Sequence, residues 1–477
     1  VVIVLEGRLD RADRRRSAYR LVPFDVEGPA TALRIRLAVD RPGADSVVDL
    51  GLFGPGPTGF GSDAFRGWSG SERSEVIVAV DRATPGYRPG PIVPGRWHVL
   101  LGLCRLPPEG CAYRIAVEVG DGSPAWLAGL AAVPLPGDDR PAALAAPEPD
   151  SRLRWYRGDL HAHTIHSDGA DDPATVVATA RRIGLDFLAV TDHNTDSHLA
   201  WLAGLGGGGF LVLGGEEITT YDGHANAWGI DRWVDFRPDV GPGIAGTIEA
   251  VHAQGGLVSI NHPKPDDPWR HDPDLPVDAV EVWNGPWAGI DPDHANDVSL
   301  AWWTALLGRG RRPTAVGGSD MHSPRPADHP LGTPVTWVHA TGLDRTAILD
   351  GIRAGRVVIS RDPIGPRPDL VVGAPDGLRR SIGEELAVGP DTALEVEWRV
   401  RGGRGMRLRL VSARGVEADR EIDSGDARGT IRLAAPAGGR PTRDHVRVEV
   451  RDPGGAMAAL TNPVHVVTGQ PADWRTA

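Results

Sequence analysis

The chain has only two cysteines in 477 residues, Cys104 and Cys111, so no disulfide framework organises it and cysteine carries none of its chemistry. The two flank "RLPPEG" in what reads as a hairpin; reduced, partly buried thiols are expected there, with a disulfide as the alternative. No apolar run approaches the ~20 residues that a membrane-spanning helix needs. Lysines are few, no basic tract stands out, and 51 basic against 63 acidic residues leave a net charge of −12. That balance has the wrong sign for a run of nucleic-acid phosphates, so neither nucleic acid nor a membrane is an expected partner. The opening "VVIVLEGRLD" offers five apolar residues before a charge, too short for a signal-peptide core and without a basic start. Cytoplasmic residence is therefore the expectation, and a chain beginning at Val1 leaves a removed leader open.

Glycine and proline, in contrast, are abundant at 62 and 42, with hydrophobic residues at 41% and charged at 24%. This is a folded, turn-rich chain too long for one core. Residues 1–133 read as an N-terminal β-sandwich: in "TALRIRLAV" Leu33, Ile35, Leu37 and Val39 alternate with Arg34 and Arg36, and "YRIAVEV" repeats the period. Residues 134–154, which begin "PLPGDDRPAALAAPEPD", form a proline-rich linker. Residues 155–366 interleave short apolar strands with helices, the texture of a parallel sheet or (β/α) barrel. The first helix is marked by Asp172 as cap, Pro173 at its first position and Gly184 as terminator. From 367 to 477 period-two alternation returns in "LEVEWRV" and "HVRVEV", predicting a C-terminal β-sandwich.

Within the middle segment, His, Asp and Glu collect at the C-terminal ends of the expected strands: "DLHAH", "AVTDH", "LGGEE", "SINHP" and "GGSDMH". That rim is where loops of a parallel α/β fold converge into a site. His161 and His163 are two apart, as are Asp320 and His322, which places each pair on one side of an extended strand. Asp168 follows in a loop that Gly169 lets turn. Imidazole and carboxylate together suit Zn, Mn or Fe rather than an all-oxygen calcium site. Singly, each residue has a blander reading: Asp168 as turn former, His262 as a satisfied core histidine. Of the adjacent Glu216 and Glu217, alternation sends only one inward. His166 is expected to line a pocket or the surface, and Asp192 to support rather than ligate.

These five motifs in this order resemble the PHP (polymerase and histidinol phosphatase) metallohydrolase superfamily. "TTYDGHANAWG" and "VEVWNG" are similar to its carbaryl-hydrolase-like (CehA/McbA type) branch. The resemblance covers roughly residues 155 to 365. It implies a distorted (β/α)7 barrel holding two or three divalent ions. His161, His163 and Asp320 would hold the first, and Glu217 would bridge it to a second held by His224 and His262. Asp168, His193 and His322 would hold a third.

The function expected is hydrolysis of a small-molecule ester, a phosphomonoester or phosphodiester first, by a hydroxide bridging the ions. Glu217, His193 and His322 are the residues expected nearest the chemistry. Lys264, Asn226, Asn284 and Arg361 are candidate substrate contacts, and Trp283 or Trp287 could wall the site. The alternatives are hydrolysis of a carbamate or carboxyl ester, and a non-enzymatic, metal-stabilised binding protein.

Overall fold

The computed structural model describes residues 1–40, 45–132, 153–287, 295–323, 329–389, 392–435 and 444–468. The expected linker lies outside the described residues except at its end, where Arg154 already begins a strand.

The first segment holds β1 (Val2–Leu9), α1 (Arg11–Arg16), β2 (Tyr19–Val26), β3 (Ala32–Val39), β4 (Val47–Phe53), β5 (Phe65–Gly70), β6 (Glu75–Ala79), β7 (Gly95–Arg105) and β8 (Cys111–Gly120). Two antiparallel sheets, ordered β1-β8-β3-β6 and β2-β7-β4-β5, close over one apolar cluster that includes Leu33, Ile35, Trp97, Leu101 and Ile115. Period-two alternation explains the packing: Leu33, Ile35 and Leu37 point into the core, while Arg34 reaches Glu75 and Glu118 on the neighbouring strands. The cysteine hairpin is corrected. Strands β7 and β8 belong to different sheets, so residues 106–110 cross from one sheet to the other, and both thiols are free.

The middle segment runs β9 (Arg154–Asp159), α2 (Pro173–Arg182), β10 (Phe187–Val190), α3 (Leu199–Leu202), β11 (Leu211–Thr220), β12 (Gly223–Trp228), α4 (Gly243–His252), β13 (Leu257–Ile260), β14 (Ala279–Asn284), α5 (Asn296–Gly308), β15 (Thr314–Gly318), β16 (Val335–Ala340), α6 (Arg345–Arg353) and β17 (Val357–Ser360). Helix α2 starts as its sequence dictates: the Asp172 side chain accepts from Thr175 N, with Pro173 at the first turn. The strands form one path, β15-β14-β13-β12-β11-β10-β9-β16-β17. Pairing is parallel among β9, β10 and β11, and again among β13, β14 and β15.

Regular alternation is broken in two places. Strand β12 returns antiparallel from β11 as a hairpin, and β16 and β17 are antiparallel to their neighbours. The described ladders do not close into a ring. Instead β15 meets β16 through one side chain: Thr336 Oγ1 donates to Gly317 O at 2.7 Å and accepts from Gly317 N at 2.9 Å.

The last segment contains β18 (Arg367–Gly373), β19 (Arg379–Ser381), β20 (Glu385–Val388), β21 (Leu394–Arg401), β22 (Arg407–Ser412), β23 (Gly415–Glu421), β24 (Asp426–Leu433), β25 (His445–Arg451), β26 (Met457–Thr461) and β27 (Val464–Thr468). Its sheet β19-β18-β21-β24 shares a core with β22, β25 and β26. Strand β17 pairs with β26, so the middle sheet runs on into this last segment. The expected polar face of β25 is not in water. Arg447 and Glu449 are buried and hydrogen-bonded to each other, with Arg447 lying over Trp303 of α5.

Candidate metal centre

All nine candidate ligands meet at one end of the middle sheet, in three adjoining groups whose nitrogen and oxygen atoms lie within 4.8 Å of one another, and a fourth such group joins His161 and His262 to Glu281. His161, His163, Glu217 and Asp320 form the first; Glu217, His224 and His262 the second; His163, Asp168, His193 and His322 the third. Glu217 is common to the first two, and His163 to the first and third.

Local structure explains the convergence. His161 and His163 follow β9, and both reach the first group, as period two requires. His193 follows β10, His262 follows β13, and Asp320 follows β15. Glu217 lies inside β11 rather than at its end, because the β11–β12 hairpin projects beyond the neighbouring strands and carries His224 on its return. Glu216 points the other way, accepting from Val234 N at 3.0 Å, so alternation selects Glu217. The reading of Asp320 and His322 as one extended pair is corrected. Asp320 has φ 55°, the left-handed region, which breaks the extended geometry and sends the two side chains to different groups. Among the described residues the non-glycine positions with positive φ are Asn194, His262 and Asp320, all at this centre. Such strain persists where the surroundings hold it for a functional geometry.

The donor atoms fit divalent ions. Glu281 Oε1 lies 3.0 Å from His161 Nδ1, leaving His161 Nε2 as the lone-pair atom. That nitrogen stands 3.3 Å from Glu217 Oε2 and 3.2 Å from Asp320 Oδ1. His161 Nε2 and Glu217 Oε2 are buried with no hydrogen-bond partner. A buried imidazole nitrogen and carboxylate oxygens packed this closely need a shared proton or a cation between them. Spacings of about 3.0–3.4 Å are those of ligands sharing an ion at about 2.1 Å.

Protonation of the ion-free centre is divided: against burial, Asp320, Glu281 and Glu217 raise His161 well above an imidazole's ordinary value, and Asp168 and Glu217 do the same to His193, a positive charge that bound cations would replace. Burial alone would raise the Glu217 carboxyl, but the His161 and His193 rings hold it well below its usual range. Asp320 is pulled down against burial by His161 and His163. Burial, helped by His322 and His193, lowers His163 to about 4, so this imidazole is neutral and ready to ligate.

Support comes from residues of which sequence reasoning saw only some. Asp159 accepts from the backbone N–H groups of His161, Ser319 and Gly332, tying together the ends of three strands. Asp192 supports, as expected: it accepts from Thr164 N, Thr164 Oγ1 and Ser167 Oγ. Glu281 and Asp267 were missed. Glu281 contacts His161 and accepts from His262 N; Asp267 Oδ2 lies 3.1 Å from both His224 Nδ1 and His262 Nδ1. Such carboxylates fix the tautomer and aim of a ligand histidine. The signal for Glu281 was a carboxylate inside the apolar strand "AVEVW", which burial forbids without a partner.

The expected substrate contacts divide. Lys264, the single lysine of the chain, is buried with Nζ 3.3 Å from Asn284 Oδ1, and burial lowers its ammonium pKa. Asn284 donates to Glu281 and to Asp320 Oδ2, so both residues stand beside the first group. Asn226 is fully buried, its amide nitrogen 3.5 Å from Leu160 O and its Oδ1 without a hydrogen-bond partner. Arg361 pairs with Asp362, and its backbone N donates to Ala458 O in the last segment. Trp283 and Trp287 are core residues packed edge-to-face at 4.9 Å, not walls of the site. His166 is neither surface nor pocket-lining; it is buried, with Nδ1 2.8 Å from Ser197 Oγ. A separate cavity of about 570 Å³, lined by Trp155, His339, Asp369 and Trp398 among others, shares no residue with the centre.

No family model matches the chain. It is 29% identical over 154 residues to an uncharacterized protein of Methanocaldococcus jannaschii, a match covering 27% of this chain and 81% of that one. It is 40% identical over 65 residues to a phosphoribosyl 1,2-cyclic phosphate 1,2-diphosphodiesterase of Eggerthella lenta, covering 13% of this chain and 25% of that enzyme. Among solved structures, a two-domain protein of Bacteroides vulgatus containing a predicted PHP-like metal-dependent phosphoesterase aligns with TM-score 0.38 and 19% identity. That alignment covers 67% of this chain and 97% of that one.

Proposed function

We propose that the chain is a metal-dependent hydrolase of small-molecule esters, phosphoesters first, of the PHP type. The observation that carries this is the set of facing acceptor atoms around Glu217, three adjoining groups built from four strands, β9, β10, β13 and β15, and the β11–β12 hairpin. His161, His163 and Asp320 would hold one ion, His224 and His262 a second with Glu217 shared, and Asp168, His193 and His322 a third. Divalent ions there would supply a nucleophilic water at neutral pH and neutralise charge developing on the reacting group.

The remaining work falls to the protein. The floor of the centre is closed: His161 and His163 have no exposed side-chain surface, and Glu217 shows 1%. The rim is open, at 36% for Asp168 and 40% for His322, so substrate enters on that side. His193 and His322 border this opening, where with Asp168 they would hold an ion against the charge on a departing oxygen. His322 Nδ1 lies 2.9 Å from Asp320 O, which directs Nε2 toward Asp168 and the opening. Lys264, aimed by Asn284, contacts a substrate oxygen. The short stretch shared with a cyclic phosphodiesterase supports phosphorus chemistry. Turnover of p-nitrophenyl phosphate or its bis-ester should require added Mn or Zn and vanish in His161→Ala and Glu217→Ala. Unchanged turnover in both variants sinks the reading.

The carbaryl-hydrolase-like alternative, a carbamate or carboxyl ester, has one observation in its favour. Lys264 is buried beside the first group, and Arg73 reaches the loop before Asp168 with its guanidinium spent on two backbone carbonyls, a sparse positive lining that suits a substrate of low charge. Hydrolysis of a 1-naphthyl carbamate faster than of either phosphate ester would select it.

A further inference from the structure

The N-terminal sandwich grips three of the segments that carry candidate ligands. Asp49 of β4 accepts from Tyr221 Oη, at the tip of the β11–β12 hairpin, at 2.5 Å. Gly86, between β6 and β7, donates to Ser197 Oγ and accepts from Thr195 Oγ1, in the loop that follows His193. Here the approach is so close that a Cβ on Gly86 would stand 2.9 Å from His166 O. Arg73, between β5 and β6, reaches furthest into the centre. Its Nη2 donates to Ile165 O at 2.7 Å and its Nη1 to Ser167 O at 2.8 Å.

Those two carbonyls belong to the loop between His163 and Asp168, and the second is the peptide that precedes Asp168. On its other side the same loop is held by Asp192 through Thr164 and Ser167. Gly169 closes it, with N donating to Thr164 O, at a point where a Cβ would meet the His163 backbone at 2.6 Å. One planar guanidinium fork spanning two carbonyls sets the orientation of both peptides, which a point-like ammonium does less well.

We propose that Arg73 is a positioning residue of the metal centre, acting from the N-terminal sandwich to set the Asp168 carboxylate against His193 and His322. The proposal rests on the reading of the centre as a metal site. It gives the sandwich a role in the chemistry: the third group is completed only when the sandwich is docked.

The test uses the full chain, stripped with chelator and titrated with Zn²⁺ or Mn²⁺ by calorimetry, with bound ions counted by elemental analysis. Wild type is compared with Arg73→Ala, Arg73→Lys and Leu103→Ala, the last a buried sandwich position away from the centre. Arg73→Ala should bind one ion fewer, or bind its weakest ion about 10–100-fold less tightly, with unchanged circular dichroism in the metal-free state. Arg73→Lys should fall between, and Leu103→Ala should melt earlier yet bind as wild type does. Wild-type stoichiometry and affinity in Arg73→Ala overturn the proposal, as does an equal loss in Leu103→Ala. Wild type that binds no ion removes the metal reading itself, and this proposal with it.

Discussion

Asp49 is a buried carboxylate that accepts from Tyr221 Oη where the sandwich meets the β11–β12 hairpin, and burying its charge should cost the fold stability. Burial raises its pKa from 3.8 to about 6, against a smaller lowering by the Tyr221 hydroxyl. A carboxyl whose folded-state pKa lies above its unfolded value favours the protonated native state. Its contribution is therefore fully present below about pH 4 and is lost as pH rises through about 6. A shift of about two pH units corresponds to about 3 kcal/mol at neutral pH. Asp49→Asn removes the titrating proton and keeps an acceptor for Tyr221. It should match wild type near pH 4 and exceed it by up to about 3 kcal/mol at pH 7–8. Urea midpoints across that range measure the difference. An Asn variant less stable than wild type at pH 8, or a difference that does not change with pH, would refute the reasoning. Gains in stability should be accompanied by unchanged metal stoichiometry, since Tyr221 keeps its partner.

Glu281→Gln should leave the fold intact and weaken metal binding about 10–100-fold, because His161 loses the carboxylate that fixes its tautomer; calorimetric titration reads this directly. Gly318→Ala would drive a Cβ into His161 Cβ and to 2.5 Å from Glu281 Oε1, so a loss of about 1–3 kcal/mol in denaturant unfolding should come with lost ions. Metal occupancy and turnover should fall together below about pH 6, where protons compete for the imidazoles; full activity at pH 5 contradicts the ligand set. A chain holding fewer than two tightly bound ions and hydrolysing no ester in a broad panel would favour a binding protein instead.

What could be read from the sequence depended on whether a residue's role is set by its own neighbours or by distant ones. The nine candidate ligands were readable because strand ends in a parallel sheet converge whatever the pairing order, so "DLHAH" and "GGSDMH" had to approach each other. The cap of α2 was readable because Asp172 acts on Thr175 three residues on, and the buried face of β3 because period two sorts Leu33, Ile35 and Leu37 to one side whatever covers them. The direction of β12 was not, because a strand of six residues looks the same in either orientation, and its hairpin placed Glu217 inside a strand. Arg447 and Glu449 looked like solvent-facing residues of an alternating strand. They are buried because α5 covers that face, and nothing in "HVRVEV" encodes a helix about 150 residues earlier.

Arg73 shows the limit most plainly. In the sequence it is one arginine in a polar turn between two strands. Its meaning lies in two carbonyls 92 and 94 residues away, and carbonyls carry no sequence signal at all. Residues that ligate announce themselves by chemistry, since few side chains can do it. Residues that hold the ligating loops do so through backbone groups common to every residue, and only the folded chain identifies them.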